Sequence, residues 1–147
     1  MNTQGIIAQL ARIREQANLI IDQELKARNV TGIVPAHGSV LSFLFTQTAP
    51  VPVKTVVKES GRVKSTITVM LGNLERNGYL RKKPSPQDGR VILVELTDKG
   101  QNLRPVFREI STILLDAVYG SMDQKDRETL VALLERLDHN LRAFLSI

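Results

Sequence analysis

The chain has no cysteine, which excludes disulfides, thiolate metal ligands and cysteine nucleophiles and is in keeping with a reducing cytosol. It has no tryptophan, and its four Phe and two Tyr fall mostly at positions the apolar pattern turns inward. Aromatic platforms for stacking RNA bases are therefore scarce. His37 and His139 are the only histidines, and neither belongs to a metal-ligand or nucleophile motif. No Gly-rich phosphate loop or carboxylate pair stands out either. These gaps argue against an enzyme and leave no cofactor or metal site to expect. No apolar run approaches the ~18 residues of a membrane span. The first apolar residues are interleaved with Gln9, Arg12, Arg14 and Glu15, unlike a signal peptide. The expectation is a cytoplasmic chain with no membrane partner.

What is present is an ordinary globular mixture, 42% hydrophobic and 24% charged over 147 residues. That length suits one domain, residues 1–147, burying roughly two-thirds of the surface of its unfolded chain. The formal net charge of +5 is unevenly placed. Residues 54–90 hold nine Lys or Arg against Glu59, Glu75 and Asp88, a net of +6, and the remainder of the chain sums to −1. A focused basic patch is the electrostatic footprint of a partner with a phosphate backbone. A merely solvated charged surface is the competing reading.

The apolar spacing predicts an amphipathic helix at each end. Ile6, Leu10, Ile13, Ala17 and Ile20 alternate steps of four and three, with Ile7, Ile21 and Leu25 widening the stripe. Leu130, Leu134, Leu137, Leu141 and Phe144 repeat that spacing, after a start capped by Asp123 with Asp126 or by Ser121 with Gln124. Neither stripe has a hairpin partner, which points to a dimer seam. Between them, Pro35 opens a helix to about Gln47, with Val40, Leu41, Leu44 and Phe43 inward. "APVP" at 49–52 is a break. A short helix over 53–60 turns Val53, Val56 and Val57 inward and ends at Gly61. A longer helix over 63–77 stops at Gly78. Strands over 79–83 and 90–96 flank the turn "PSPQDG". Thr97 then caps a helix to about Tyr119, lined by Leu103, Phe107, Ile110, Leu114 and Ala117, with Pro105 expected to kink or restart it.

Short helix, glycine turn, second helix and hairpin is the order of a winged helix-turn-helix. On the second helix, Val63, Ile67, Met70, Leu71 and Leu74 share one side. Opposite them stand Ser65, Val69, Gly72 and Arg76, flanked by Lys64, Thr66, Thr68 and Asn73. Hydroxyls, an amide and cations suit base edges and phosphates in a major groove, although Ser and Thr are also common on solvent faces. Gly72 costs this helix roughly 1 kcal/mol relative to alanine, for which a close approach would compensate. In the hairpin, Arg81, Lys82 and Lys83 face Arg90 across a turn, and like charges there repel unless an anion sits nearby. The expected anion is the DNA backbone, with Lys82 and Lys83 at phosphates and Arg90 at the sugar-phosphate edge or the minor groove. Asp88 repels phosphate, so its role is either to hold the Arg90 guanidinium in a bidentate pair or simply to form an Asp-Gly turn.

"STITVMLGNLERNGYL" (65–80) and "RKKPSPQDGRVILVELTDKG" (81–100) resemble the multiple-antibiotic-resistance-regulator (MarR) family of transcription regulators. The wing Asp88-Gly89-Arg90 and the junction Leu96-Thr97-x-x-Gly100 carry the resemblance most specifically, and it spans nearly the whole chain. It implies a mainly α fold with a small β-hairpin (α+β): a winged helix-turn-helix lobe over about 35–98, with dimerisation helices over about 5–30 and 100–147. It implies a homodimeric regulator of a pseudo-palindromic double-stranded operator, usually a repressor, released by a small aromatic or amphipathic ligand. The implied DNA-contacting positions are Ser65, Thr66, Thr68, Asp88 and Arg90, beside Lys64, Val69, Asn73, Arg76, Lys82 and Lys83 from the face and wing. The chain departs from the family at Val69, where many relatives have arginine, and at Arg62-Val63, where a Leu-Ser pair often supplies the helix cap. The alternative is a winged helix used for protein assembly or RNA binding; assembly calls for apolar anchors, and Val69 is the only one central to this face.

Overall fold

A computed structural model describes all 147 residues, which divide into two compact units, residues 1–112 and 113–147. The first begins with α1 (Ile6–Ala27), of which only Leu25 is fully buried. The helix expected over 35–47 is instead a 3-10 turn, Pro35–His37, followed by α2 (Gly38–Phe45). His37 belongs to the core rather than the surface. Its Nδ1 accepts a hydrogen bond from the Val34 N–H at 3.2 Å, and burial lowers its pKa below the ordinary histidine value.

The "APVP" break proves to be a strand as well. β1 (Val51–Pro52) pairs antiparallel with β3 (Ile92–Leu96), which pairs on its other side with β2 (Leu80–Pro84), in the order β1-β3-β2. The hairpin is therefore part of a three-stranded sheet. Two residues are too few to show period-2 patterning, and an edge position tolerates Pro52, which has no N–H to donate. Arg90 and Val91 belong to the turn rather than to β3. The turn closes through Val91 N–H to the Asp88 carbonyl, at 2.9 Å, and Ser85 N–H to the Val91 carbonyl, at 2.8 Å.

α3 (Val53–Ser60) and α4 (Lys64–Arg76) are joined at Gly61, whose φ of 65° is left-handed and cheap only for glycine. The core these elements share centres on Val40, Leu41, Val56, Ile67, Leu71, Leu74, Leu80 and Val94, all fully buried. Val53, Val57 and Phe43 are only half-buried against it. Val63 departs from the expected inward face. It is the residue before α4, and its extended backbone (ψ 148°) swings it off the helical stripe, leaving it 66% exposed.

Thr97 caps α5 (Asp98–Gln101), its hydroxyl accepting from the Gly100 N–H at 3.2 Å. The chain then restarts at Asn102 as α6 (Leu103–Tyr119), because the Pro105 ring obstructs the Gln101 carbonyl and supplies no N–H to it. Leu103 and Ile110 are buried and Phe107 is half-buried, stacked edge-on against Phe45 with ring centroids 5.5 Å apart. Ala117, expected inward, is exposed.

The second unit holds the last turns of α6 and α7 (Gln124–Leu145). Asp123 caps α7, accepting from the Asp126 N–H at 2.8 Å, so Asp123 rather than Ser121 opens the helix. The Arg127 guanidinium lies 4.9 Å from the centre of the Tyr119 ring and donates to the Met122 carbonyl at 3.0 Å, tying the start of α7 to the end of α6. None of the residues of α7 is fully buried.

Candidate nucleic-acid interface

α4 is fixed at its carboxyl end by several elements at once. Lys99 of α5 donates to the Asn77 carbonyl at 2.7 Å, with its ammonium 4.4 Å from the centre of the Tyr79 ring. Thr97 Oγ1 donates to the Gly78 carbonyl, and the Tyr79 hydroxyl donates to the Thr31 carbonyl. Gly100 lets α5 approach this closely, since a Cβ there would lie 2.0 Å from the Tyr79 carbonyl oxygen. The Leu96-Thr97-x-x-Gly100 junction thus has a physical reason: it bolts the end of α4 to the sheet. Burial raises the Tyr79 phenol above its ordinary pKa and keeps it a donor.

At its amino end α4 has no side-chain cap. Ser60 does not substitute for one: its hydroxyl accepts from the Arg62 N–H, at 3.3 Å, and donates to the Val57 carbonyl, at 2.9 Å. The first-turn N–H groups of α4, which have no intrahelical acceptors, therefore also lack a side-chain oxygen.

Ile67, Met70, Leu71 and Leu74 anchor α4 to the core, so the opposite face is presented outward. Lys64, Ser65, Thr68, Val69 and Arg76 are exposed; Thr66 and Asn73 are half-buried. Arg76 Nη2 donates to Asn73 Oδ1 at 3.0 Å, and Thr68 Oγ1 donates to the Lys64 carbonyl of its own helix at 2.9 Å. Gly72 has nothing within 4 Å of where a Cβ would stand, so no part of this chain makes the close approach that would explain it.

The wing resolves its own repulsion, which corrects the expectation that DNA alone supplies the anion. The β2–β3 register sets Arg81 opposite Glu95, whose Oε1 takes Arg81 Nε at 2.7 Å and Lys83 Nζ at 3.2 Å. Chiefly the Arg81 hydrogen bond, helped by Lys83, holds the Glu95 carboxyl below its ordinary pKa. Lys82 projects from the other face. Its N–H donates to Glu75 Oε2 at 3.0 Å, and its Nζ lies 3.8 Å from Glu75 Oε1. Each pair keeps one partner open to solvent (Arg81, Lys83 or Glu75), and ion pairs wetted in this way contribute little, so these cations remain available to a stronger anion.

Asp88 and Arg90 form the bidentate arrangement. Arg90 Nε lies 3.1 Å from Asp88 Oδ1 and Nη2 lies 3.3 Å from Oδ2, while the Arg90 backbone N–H donates to Oδ1 at 3.0 Å. The Arg90 hydrogen bonds, side chain first, hold Asp88 below the ordinary carboxylate pKa. The Arg90 side chain is nonetheless 91% exposed. The pair aims the guanidinium without consuming it.

Between α3, α4 and the wing lies a concavity of about 480 Å³ whose lining includes Lys54, Lys64, Thr68, Lys82 and Arg90. Four of the expected interface residues thus meet at one hollow. Ser65, Thr66 and Val69 stand on the outward face of α4, Asn73 and Arg76 pair near its carboxyl end, and Lys83 turns toward Glu95. Lys54 was not among the expected residues; its only signal in the sequence is membership of the basic stretch 54–90.

The family described as "Transcriptional regulator SarA/Rot" matches residues 39–104, which run from α2 through the wing into α6. MgrA of Staphylococcus aureus, an HTH-type transcriptional regulator, is 30% identical over 100 residues, covering 68% of this chain and 66% of MgrA. The chain belongs to the MarR family of winged helix-turn-helix transcription regulators. Two solved structures share the fold. MepR of S. aureus, determined as a DNA complex, superimposes with a TM-score of 0.80 at 20% identity, covering 95% of this chain and 98% of that one. PcaV of Streptomyces coelicolor, determined with its natural ligand, gives a TM-score of 0.79 at 23% identity, covering 95% and 96%. In this MarR-family chain, α3, α4 and the β2–β3 wing are the helix-turn-helix and its wing. No helix is long and apolar enough to cross a membrane.

Proposed function

We propose that this regulator is a cytoplasmic homodimeric repressor that binds a pseudo-palindromic duplex operator and releases it on taking up a small aromatic or amphipathic ligand. The observation that carries the DNA-contacting surface is the hollow between α3, α4 and the wing, where Lys54, Lys64, Lys82 and Arg90 converge beside an outward face of small polar side chains. α4 enters a major groove with Ser65, Thr66, Val69 and Asn73 toward base edges, while Lys64, Thr68 and Arg76 flank them toward the backbone. The wing follows the adjacent minor groove, with Arg90 held by Asp88 at its tip and Lys82 and Lys83 along the strand. The dimer reading is supported by α1 and α7, whose Ile6 and Ile13, and Leu134, Leu141 and Phe144, are exposed at heptad-like spacing. The ligand reading is supported by the likeness to PcaV.

Fluorescence anisotropy against duplex DNA from upstream of the protein's own coding sequence, beside an unrelated duplex and across a salt series, tests this reading. Binding that is tighter for the upstream duplex and falls steeply with salt is the expected result. Equal and weak binding to both would count against an operator at that location, and to a selected pool as well, against the DNA-contacting surface itself.

A further inference from the structure

The outward face of α4 is apolar at its centre. At the helical repeat, Val69 lies between Ser65 and Asn73, one turn to either side, with Gly72 beside it. Val69 is 63% exposed, and the Gly72 position is open space, so its two methyl groups are uncovered. The polar groups around it are partly engaged within the helix itself. The Thr68 hydroxyl is donated back to the Lys64 carbonyl, and Asn73 Oδ1 accepts from Arg76. A β-branched residue on a solvated helix face has lower helix propensity than alanine and gains nothing from packing against its own chain. The same helix carries the exposed cations Lys64 and Arg76, and the neighbouring hollow adds Lys54 and Arg90, charges matched to a phosphate backbone.

We infer that Val69 is a specificity-determining residue that reads the C5-methyl group of thymine in the major groove. The inference rests on α4 being the groove-entering helix. A duplex offers one apolar group on its major-groove base edges, the thymine methyl, and a branched aliphatic side chain flanked by a bare glycine gives that methyl a place to be buried. Gly72 lets the base edge approach the helix backbone beside Val69, which supplies the close approach that the chain itself does not make.

The test begins by selecting a bound duplex from a randomised pool with the full chain, then replacing its thymines one at a time with deoxyuridine, which removes the methyl and preserves pairing. At the contacted thymine, deoxyuridine should weaken the wild-type protein by about fourfold, the worth of one buried methyl. Against Val69→Ala the same replacement should change affinity by less than about 1.5-fold, the non-additivity that marks a direct contact. Val69 is exposed, so the alanine variant retains its core. A duplex that is enriched but shows no thymine with this coupling overturns the Val69 assignment and leaves DNA binding standing. Loss at a thymine that is equal in wild type and Val69→Ala assigns the methyl to another residue and also overturns it. Failure of any duplex to enrich overturns the groove-entering helix, and this inference with it.

Discussion

Arg90 and Asp88 show how a single acid can serve a basic site. On net charge alone, Asp88 opposes phosphate and its removal should tighten DNA binding. The geometry predicts the reverse, because the bidentate pair sets the direction of a guanidinium that is otherwise 91% exposed and free to rotate. Arg90→Ala should weaken duplex binding by about tenfold, and Asp88→Ala should also weaken it, despite raising the net charge. Anisotropy on both variants decides the matter; tighter binding by Asp88→Ala would mean that Asp88 is a turn residue only. The pairing was legible in the spacing of Asp88-Gly89-Arg90, although a turn role was equally open. The partners of Arg81, Lys82 and Lys83 were not foreseen, because Glu95 and Glu75 meet them only through a cross-strand register and through the packing of α4 on β2.

The α5 junction decides how α4 is held as an element. Gly100 has no Cβ because the Tyr79 carbonyl occupies that space, and the clash would be with backbone, which cannot turn aside as a side chain can. Gly100→Ala should therefore cost about 3 kcal/mol of stability, at the upper end of overpacking effects, read as a lowered urea midpoint. Gly72 lies in the middle of α4 and meets nothing, so alanine there fits without displacement. The helices of this lobe were readable because their apolar residues recur at helical spacing over eight residues or more. β1 was not, since its two residues have no period and become a strand only by pairing with Val94 and Leu93. The division of α5 from α6 follows from Pro105, and the sequence marked that place as a kink or a restart without saying which.

For the whole molecule, α7 is a long amphipathic helix whose apolar stripe is at most half-buried within one chain, at Leu130 and Leu137. Phe144 is 88% exposed and Leu141 50%. A second copy of the chain is the proposed cover. Leu141→Asp removes an apolar contact from that seam while leaving the fold of one chain untouched, since the residue is half exposed already. Sedimentation velocity should show a shift to single-chain mass, with a matching loss of operator affinity as the two half-sites, roughly 10 bp apart, lose their simultaneous reader. A variant that remains dimeric would place the seam elsewhere.

The sequence by itself determined which segments are helical, where the basic charge is concentrated, that Gly61 makes the turn between α3 and α4, and which face of α4 is apolar. All of these are local, set by periodicity, composition and backbone conformational preference within a few residues. Only the tertiary structure decided that Arg81, Lys82 and Lys83 are answered by Glu95 and Glu75, and that Lys54 joins Lys64, Lys82 and Arg90 at one hollow. Those facts depend on strand register and on how α3, α4 and the sheet pack together, contacts between residues far apart in the chain that no local pattern encodes.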